Sequence, residues 1–255
     1  MAKPTEAAAP MLNVRDRIIV ALDVDSARKA SAIVEELRGR VGAFKVGLQL
    51  FTVAGPEFVR ELTASGAKVF LDLKFHDIPN TVAKASVKAA RLHVWMFNMH
   101  TSGGSEMMRM SVKEVDAVCE AEGVERPLMI GVTVLTSSDQ ETMSEIGVVK
   151  EVDRQVADLA VLAAESGLDG VVASPLEVAT IRDAVKRKNF LTVTPGIRPL
   201  TATADDQKRV TTVGRALAGG SDYVVIGRPI IQVDDRAAAV EAIVDEANSA
   251  INDNN

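Results

Sequence analysis

Val69 to Thr81 reads VFLDLKFHDIPNT, and Asp72, Lys74 and Asp77 put three charges into a stretch otherwise patterned as a buried strand. Side chains alternate along a strand, so Asp72 and Lys74 share one face while Leu71, Leu73 and Phe75 take the other. Burying such charges is costly unless each is paired. From spacing alone, Asp72 and Lys74 fit either a structural ion pair inside a barrel or a site in which a lysine flanked by carboxylates acts on a ligand. The end of a strand, where parallel α/β proteins keep their ligands, favours the site. Asp77, Ile78, Pro79 and Asn80 then read as a strand-to-helix turn, with Asp77 as N-cap and Pro79 in the first helical turn.

A second chemistry lies near the C-terminus. Thr194-Pro-Gly-Ile-Arg198 and Ile226-Gly-Arg-Pro229 each pair a glycine, which lets backbone approach an anion, with an arginine suited to phosphate oxygens. The alternative is two tight turns with solvated arginines. His76, His93 and His100 lack zinc-like spacing and no cysteine cluster exists, so no metal site is expected. The single cysteine, Cys119, sits in a helical pattern as a packing residue, rules out an intramolecular disulfide and fits a reducing compartment.

These residues need elements to position them. Arg17–Leu22 is a short apolar run ending at Asp23, followed by a helical stripe of Ala30, Ile33, Val34 and Leu37. The rhythm repeats: Ala43–Gly47 with Pro56–Ser65, Lys68–Lys74 with Pro79–Ala90, and Val94–Met99 with Gly104–Ala121. Leu128–Val134 leads through a longer loop to a helix carrying Val152, Val156, Leu159, Ala160 and Ala163. Gly170–Ala173 with Leu176–Lys186, Leu191–Thr194 with Asp205–Leu217, and Tyr223–Ile226 with Asp235–Ala247 complete the set. Eight alternations of roughly 30 residues match a single-domain α/β fold, the (β/α)8 or TIM barrel. An open doubly wound sheet is the alternative, but no glycine-rich fingerprint follows the first strand. Polar residues gather at the strand ends: Asp23, Lys45, Asp72 with Lys74, Asn98 with His100, Thr133 with Thr136, Thr194 with Arg198, and Arg228.

The 255 residues are 47% hydrophobic and 25% charged, enough for one sizeable core. A net charge of −6 argues against general nucleic-acid binding, so an anionic ligand must be met by locally placed cations. No apolar run suits a signal peptide or a membrane span, which leads to the expectation of a cytoplasmic protein with no membrane partner. Residues 1–15 are expected to form a flexible arm, 16–250 the barrel, and 251–255 a loose tail.

IVALD, FKVG, FLDLKFHDIPNT, NMHTSGG, VTVLTS, ESGLDGVV, TPGIR and VVIGRPI, in this order, resemble the bacterial orotidine 5′-phosphate decarboxylases, which make UMP in the last step of pyrimidine synthesis. The likeness runs from about Ile18 to the last helix. It implies a catalytic network of Lys45, Asp72, Lys74 and Asp77, with no cofactor, in a homodimer where Asp77 and Thr81 act across the interface. It further implies Asp23 on the ribose hydroxyls, Thr136 at the base or ribose, and Arg198, Gln207, Gly227 and Arg228 at the phosphate and the end of the pyrimidine. Arg91–Phe97, RLHVWMF, departs from the glycine and small acidic stretch common in relatives and bears on local packing.

The chemistry is consistent with this likeness. Loss of carbon dioxide from the pyrimidine leaves an in-plane anion that the ring cannot delocalise, so a cation must lie beside that carbon. Lys74 is the expected stabiliser and proton donor, with Asp72 near the departing carboxylate. Flanking carboxylates favour a protonated lysine, the wrong state for a Schiff base. Binding of the remote phosphate is expected to close the segments after Val134 and Arg198 over the ligand. A magnesium-dependent keto-sugar-phosphate decarboxylase or synthase shares the D-x-K-x-x-D core and is the nearest rival. A noncatalytic nucleotide-phosphate-binding protein is the other.

Overall fold

Ser26 accepts a hydrogen bond from the Lys29 amide and starts α1 (Ala27–Leu37), whose Ala30, Ile33, Val34 and Leu37 turn inward. That helix packs outside β1 (Ile18–Ala21), four consecutively buried residues. A strand with both faces buried belongs to a parallel sheet covered by helices. The structure, a computed structural model, describes residues 13–197 and 211–252. Within them the strand-helix unit recurs through β2 (Ala43–Gly47), α2 (Leu48–Ala64), β3 (Val69–Phe75), α3 (Pro79–Ala90), β4 (Met96–His100) and α4 (Gly104–Glu122). The second half follows with β5 (Leu128–Val132), α5 (Gln140–Glu145), α6 (Val152–Glu165), β6 (Gly170–Val172), α7 (Val178–Ala184), β7 (Leu191–Thr194), α8 (Val213–Ala218), β8 (Tyr223–Ile226), α9 (Arg228–Ile231) and α10 (Arg236–Asn252).

The strands pair in chain order, all parallel, and β8 closes on β1 through Ile18↔Val224 to Val20↔Ile226. The expected (β/α)8 barrel is therefore the fold, and the open doubly wound alternative falls away because no sheet edge remains. Two apolar layers result. Ile18, Val20, Leu71 and Phe97 point outward into the core shared with the helices, whereas Ile19, Ala43, Phe70, Met96, Ile130, Val193 and Val225 fill the barrel. Trp95, just before β4, meets Tyr223 at the start of β8 edge-on at 5.1 Å. Strands four and eight stand opposite in a ring of eight, so this aromatic pair spans the floor of the barrel. Within the atypical Arg91–Phe97 stretch Leu92, Val94, Met96 and Phe97 are buried, His93 is exposed, and Arg91 pairs with Glu122 at the surface.

Several boundaries differ from those read in the sequence. The helix expected at Pro56–Ser65 starts at Leu48, and the Gly-Pro pair marks a kink within it, where Gly55 takes φ 71° and ψ −176°. Within the expected arm 1–15, Val14 is buried and Arg15 pairs with Glu241, while residues 1–12 lie outside the described residues. Within the expected tail 251–255, Ile251 and Asn252 form the end of α10, because Ile251 packs on the core. The short helices α5 and α9 lie in segments expected to be loops.

Gly55 occupies a backbone region that is essentially glycine-only, yet an added Cβ would meet no atom within 4 Å. Gly55→Ala is therefore expected to cost about 1–3 kcal/mol through the backbone alone, lowering Tm by several degrees in a thermal melt. An unchanged Tm would show that the kink is not imposed by its neighbours.

Candidate active site

Inward-facing positions change character toward the C-terminal ends of the first four strands. Ala21 is followed two residues later by Asp23, Ala43 by Lys45, Phe70 by Asp72, and Met96 by Asn98. Alternation along each strand carries the polar residue to the same interior face one layer higher. Asp23, Lys45 and Asp72 line the floor of a cavity of about 500 Å³ at the C-terminal mouth of the barrel, with Asn98 buried against Asp72 and with Val132, Val172 and Val225 supplying apolar wall. A planar ring with polar substituents suits such a lining.

Asp72 is the centre of the charged set. Its Oδ1 accepts from Lys74 Nζ at 2.6 Å and from Asn98 Nδ2 at 2.7 Å, and its Oδ2 faces Lys45 Nζ at 3.3 Å. Lys45 Nζ also lies 3.3 Å from Asp23 Oδ1. The order Asp23, Lys45, Asp72, Lys74 alternates in sign. Gly47 pairs with Asp72 across β2 and β3, and a Cβ there would stand 2.9 Å from Lys45 Nζ. The missing side chain leaves the space into which the lysine rises.

Burial pushes the Asp72 carboxyl up, but attraction to Lys45 and Lys74 and the hydrogen bonds from Lys74 and Asn98 outweigh it and hold the group below its usual range. Burial likewise pulls the Lys45 ammonium down, and Asp72 with Asp23 more than restores it, to above the ordinary value. Both groups are therefore held charged. Replacing a buried ion pair with well-packed apolar groups is often near neutral, whereas removing one partner strands the other.

The remaining sequence-derived candidates divide. Thr136, Gly227 and Arg228 line the same cavity, as do Gly196 and Ile197 of the loop after β7. Arg198 and Gln207 lie outside the described residues. Asp77 and Thr81 are exposed and do not line the cavity. Asp77 is also not the N-cap: Ile78 holds that position, and the Asp77 carboxylate accepts from the Ile78 amide at 2.6 Å. The Pro79 ring fixes the first helical turn one residue later than the aspartate. Cys119 is buried in α4, as its pattern indicates.

His76 and His100, 24 residues apart in sequence, lie with ring centroids 5.3 Å apart. Burial first, then the neighbouring His76 and Lys74, pushes His100 toward the neutral form, against a smaller pull from Asp72. The signal that would have joined these rings is the pairing of β3 with β4, which also joins Lys74 to Asn98. Among the described residues no three His, Cys, Asp or Glu side chains gather as metal ligands.

A depressed carboxyl binds fewer protons folded than unfolded, so the stability Asp72 supplies is complete above its unfolded pKa, about 3.9, and is lost as pH falls through the lower folded value. Lys45→Met is expected to cost about 3–5 kcal/mol at pH 7 by leaving Asp72 with one cation fewer. It should also make the acid limb of a Tm-against-pH curve shallower, because a folded pKa closer to the unfolded one leaves less stability to lose as pH falls. An acid limb of unchanged steepness would show that Lys45 does not hold the Asp72 charge.

A family profile described as "Orotidine 5'-phosphate decarboxylase / HUMPS family" matches residues 16–243. A protein from Syntrophotalea carbinolica named orotidine 5′-phosphate decarboxylase is 51% identical over 241 residues, 94% of this chain and 98% of that protein. One of the same name from Geobacter sulfurreducens is 51% identical over 232 residues, 91% of this chain and 96% of the relative. Among solved structures, the orotidine 5′-phosphate decarboxylase of Lactobacillus acidophilus superposes with a TM-score of 0.79 at 39% identity, over 91% of this chain and 98% of that one. With the match spanning the whole barrel and the charged set at its mouth, this chain belongs to the orotidine 5′-phosphate decarboxylase / HUMPS family.

Proposed function

We infer that this chain is a carboxy-lyase that converts orotidine 5′-phosphate to UMP, the closing step of pyrimidine nucleotide synthesis. The observation that carries this reading, beside the family, is the alternating array ending in Lys74 on the floor of a cavity large enough for a nucleotide. The bond between the ring carbon and its carboxylate breaks, carbon dioxide leaves neutral, and the electron pair stays on the ring carbon in the plane of the ring. Lys74 stands beside that carbon as a preorganised cation and then delivers a proton to it. No cofactor enters the balance.

The other roles follow the cavity. Asp23, half exposed and turned toward Lys45, presents a free oxygen to ribose hydroxyls. Thr136 faces the base or ribose from the segment after β5, and Gly227 with Arg228 meets the phosphate, together with Arg198 and Gln207. At Asp72, the carboxylate of the shared D-x-K core, both oxygens already face ammonium or amide donors, which favours the metal-free chemistry over the rival magnesium chemistry. Asp77 and Thr81 act on the site of a second subunit. Their exposure, with Ile78 between them 66% exposed, suits a surface that a second copy covers. Among the described residues no helix is long and apolar enough to cross a membrane. The working unit is a cytoplasmic homodimer whose barrel, residues 16–250, is the catalytic domain.

The ultraviolet absorbance change of orotidine 5′-phosphate, followed with a chelator present, tests the reading. The parent should turn over, and Lys74→Ala should lose at least about a thousandfold in kcat. Binding of UMP without turnover by a folded parent would leave a noncatalytic protein, and loss of turnover in chelator would move the assignment to the magnesium-dependent relatives. Mixing inactive Lys74→Ala and Asp77→Ala subunits should restore about a quarter of parental activity, since half of the random dimers are hybrids with one intact site. No recovery would overturn the shared site.

A further inference from the structure

β3 and β4 fall out of step beside the charged set. Leu71 pairs with Phe97 and Phe75 with Met99, so β3 advances four residues while β4 advances two. Asn98 is consequently the one β4 residue opposite Asp72, Leu73 and Lys74. Within this bulge Lys74 takes φ 51°, a left-handed backbone that a lysine adopts only when its surroundings impose it. The ladder no longer offers a backbone partner there, and the Lys74 amide donates instead to Asn98 Oδ1 at 2.8 Å.

The same carboxamide uses its other end. Asn98 Nδ2 donates to Asp72 Oδ1 at 2.7 Å, the oxygen that also receives Lys74 Nζ. The assignment of the two ends is forced, because a backbone N–H can only donate and a carboxylate can only accept. Asn98 is 1% exposed, and an asparagine so buried, on the interior face that it shares with Met96, needs both bonds. One side chain thus ties the backbone of the lysine to the carboxylate that aims its ammonium.

We propose that Asn98 is a positioning residue for the reaction: it holds the strained Lys74 backbone and the Asp72 carboxylate in one fixed relation, so that the Lys74 ammonium meets the reacting carbon without rearrangement. It touches Lys74 and Asp72 rather than substrate. The turnover arm of its test rests on the decarboxylase reading; the exchange arm does not. Among the described residues, the charged and titratable groups around Asp72 are Lys45 from β2, Asp23 beyond Lys45, Lys74 on its own strand, and His100 from β4, with His76 against His100.

Two variants separate positioning from packing. Asn98→Leu keeps the branch at Cγ, with somewhat more bulk, and loses both bonds. Its kcat for orotidine 5′-phosphate should fall about 10- to 100-fold with KM within about threefold, and its Lys74 amide should exchange faster with deuterium than in the parent. Asn98→Asp keeps the acceptor for the Lys74 amide, so exchange stays slow. At high pH it sets a second carboxylate against Asp72, whereas once protonated its O–H reproduces the lost donor. Its kcat relative to the parent should therefore climb about tenfold as pH falls from 8 to 5. Parental kcat and a slow Lys74 amide in Asn98→Leu, or a ratio for Asn98→Asp that stays flat with pH, would overturn the proposal. Should Asn98→Leu fail to fold, the pH ratio decides alone. An inactive parent whose Lys74 amide is protected by Asn98 would sink the decarboxylase reading and leave the positioning role standing.

Discussion

A buried carboxylate, that of Asp72, is the constraint to which the rest of this barrel answers. It can stay ionised only with cations on two sides and a donor on the third, and those come from Lys45 on β2, Lys74 on β3 and Asn98 on β4. Three adjacent strands must therefore keep one register, since a slip of a single residue would turn every one of these side chains to the opposite face. Closure of the sheet fixes that register, and glycine at position 47 keeps the space open into which Lys45 reaches.

The interior separates stability from chemistry by height. Below the charged layer, Ile19, Ala43, Phe70, Met96 and Ile130 interdigitate, and Trp95 with Tyr223 seals the floor. Above it the lining becomes polar, and the walls come from the strand ends and the segments that follow them. Apolar layers below exclude water from one side of the array, which raises the strength of each charge–charge contact above them. The energetic burden of holding two lysines and two aspartates in a confined space is thus met by a packed core on which they rest.

Much of this was legible from residue type and spacing. The short runs RIIVAL and AFKVG, the helical stripes that follow them and the repetition of the unit point to a closed parallel barrel. D-x-K at the end of the third strand points to the site. What escaped the sequence is local geometry that opposes average preferences. Lysine has no propensity for φ 51°, and nothing local in LDLKF announces a bulge that the fourth strand imposes. Gly55-Pro56 reads equally as a helix start and as a kink, and only the packing of residues 48–54 decides. His76 and His100 meet through strand pairing, which spacing along the chain does not encode. Asn98 showed as a polar residue at a strand end, but its two bonds depend on that same pairing.

The alternation of charge also bears on how the proposed reaction is driven. Asp23, Lys45, Asp72 and Lys74 together carry no net charge, so the array offers a substrate carboxylate no general attraction; on the proposed reading that attraction comes from Arg228 and its loop, which line the same cavity. A carboxylate placed beside Asp72 meets an anion, whereas the electron pair left on the ring carbon meets Lys74. Decarboxylation therefore moves negative charge away from an unfavourable neighbour and toward a favourable one, with the protein dipoles already in place. Because both oxygens of Asp72 are engaged, that carboxylate cannot swing aside to relieve the contact, and the Lys74 ammonium cannot follow the substrate carboxylate without breaking its 2.6 Å bond. Rigidity at Asp72 makes the difference between the two states a property of the fold, and in the proposed reaction binding energy from the distant phosphate would hold the substrate against it.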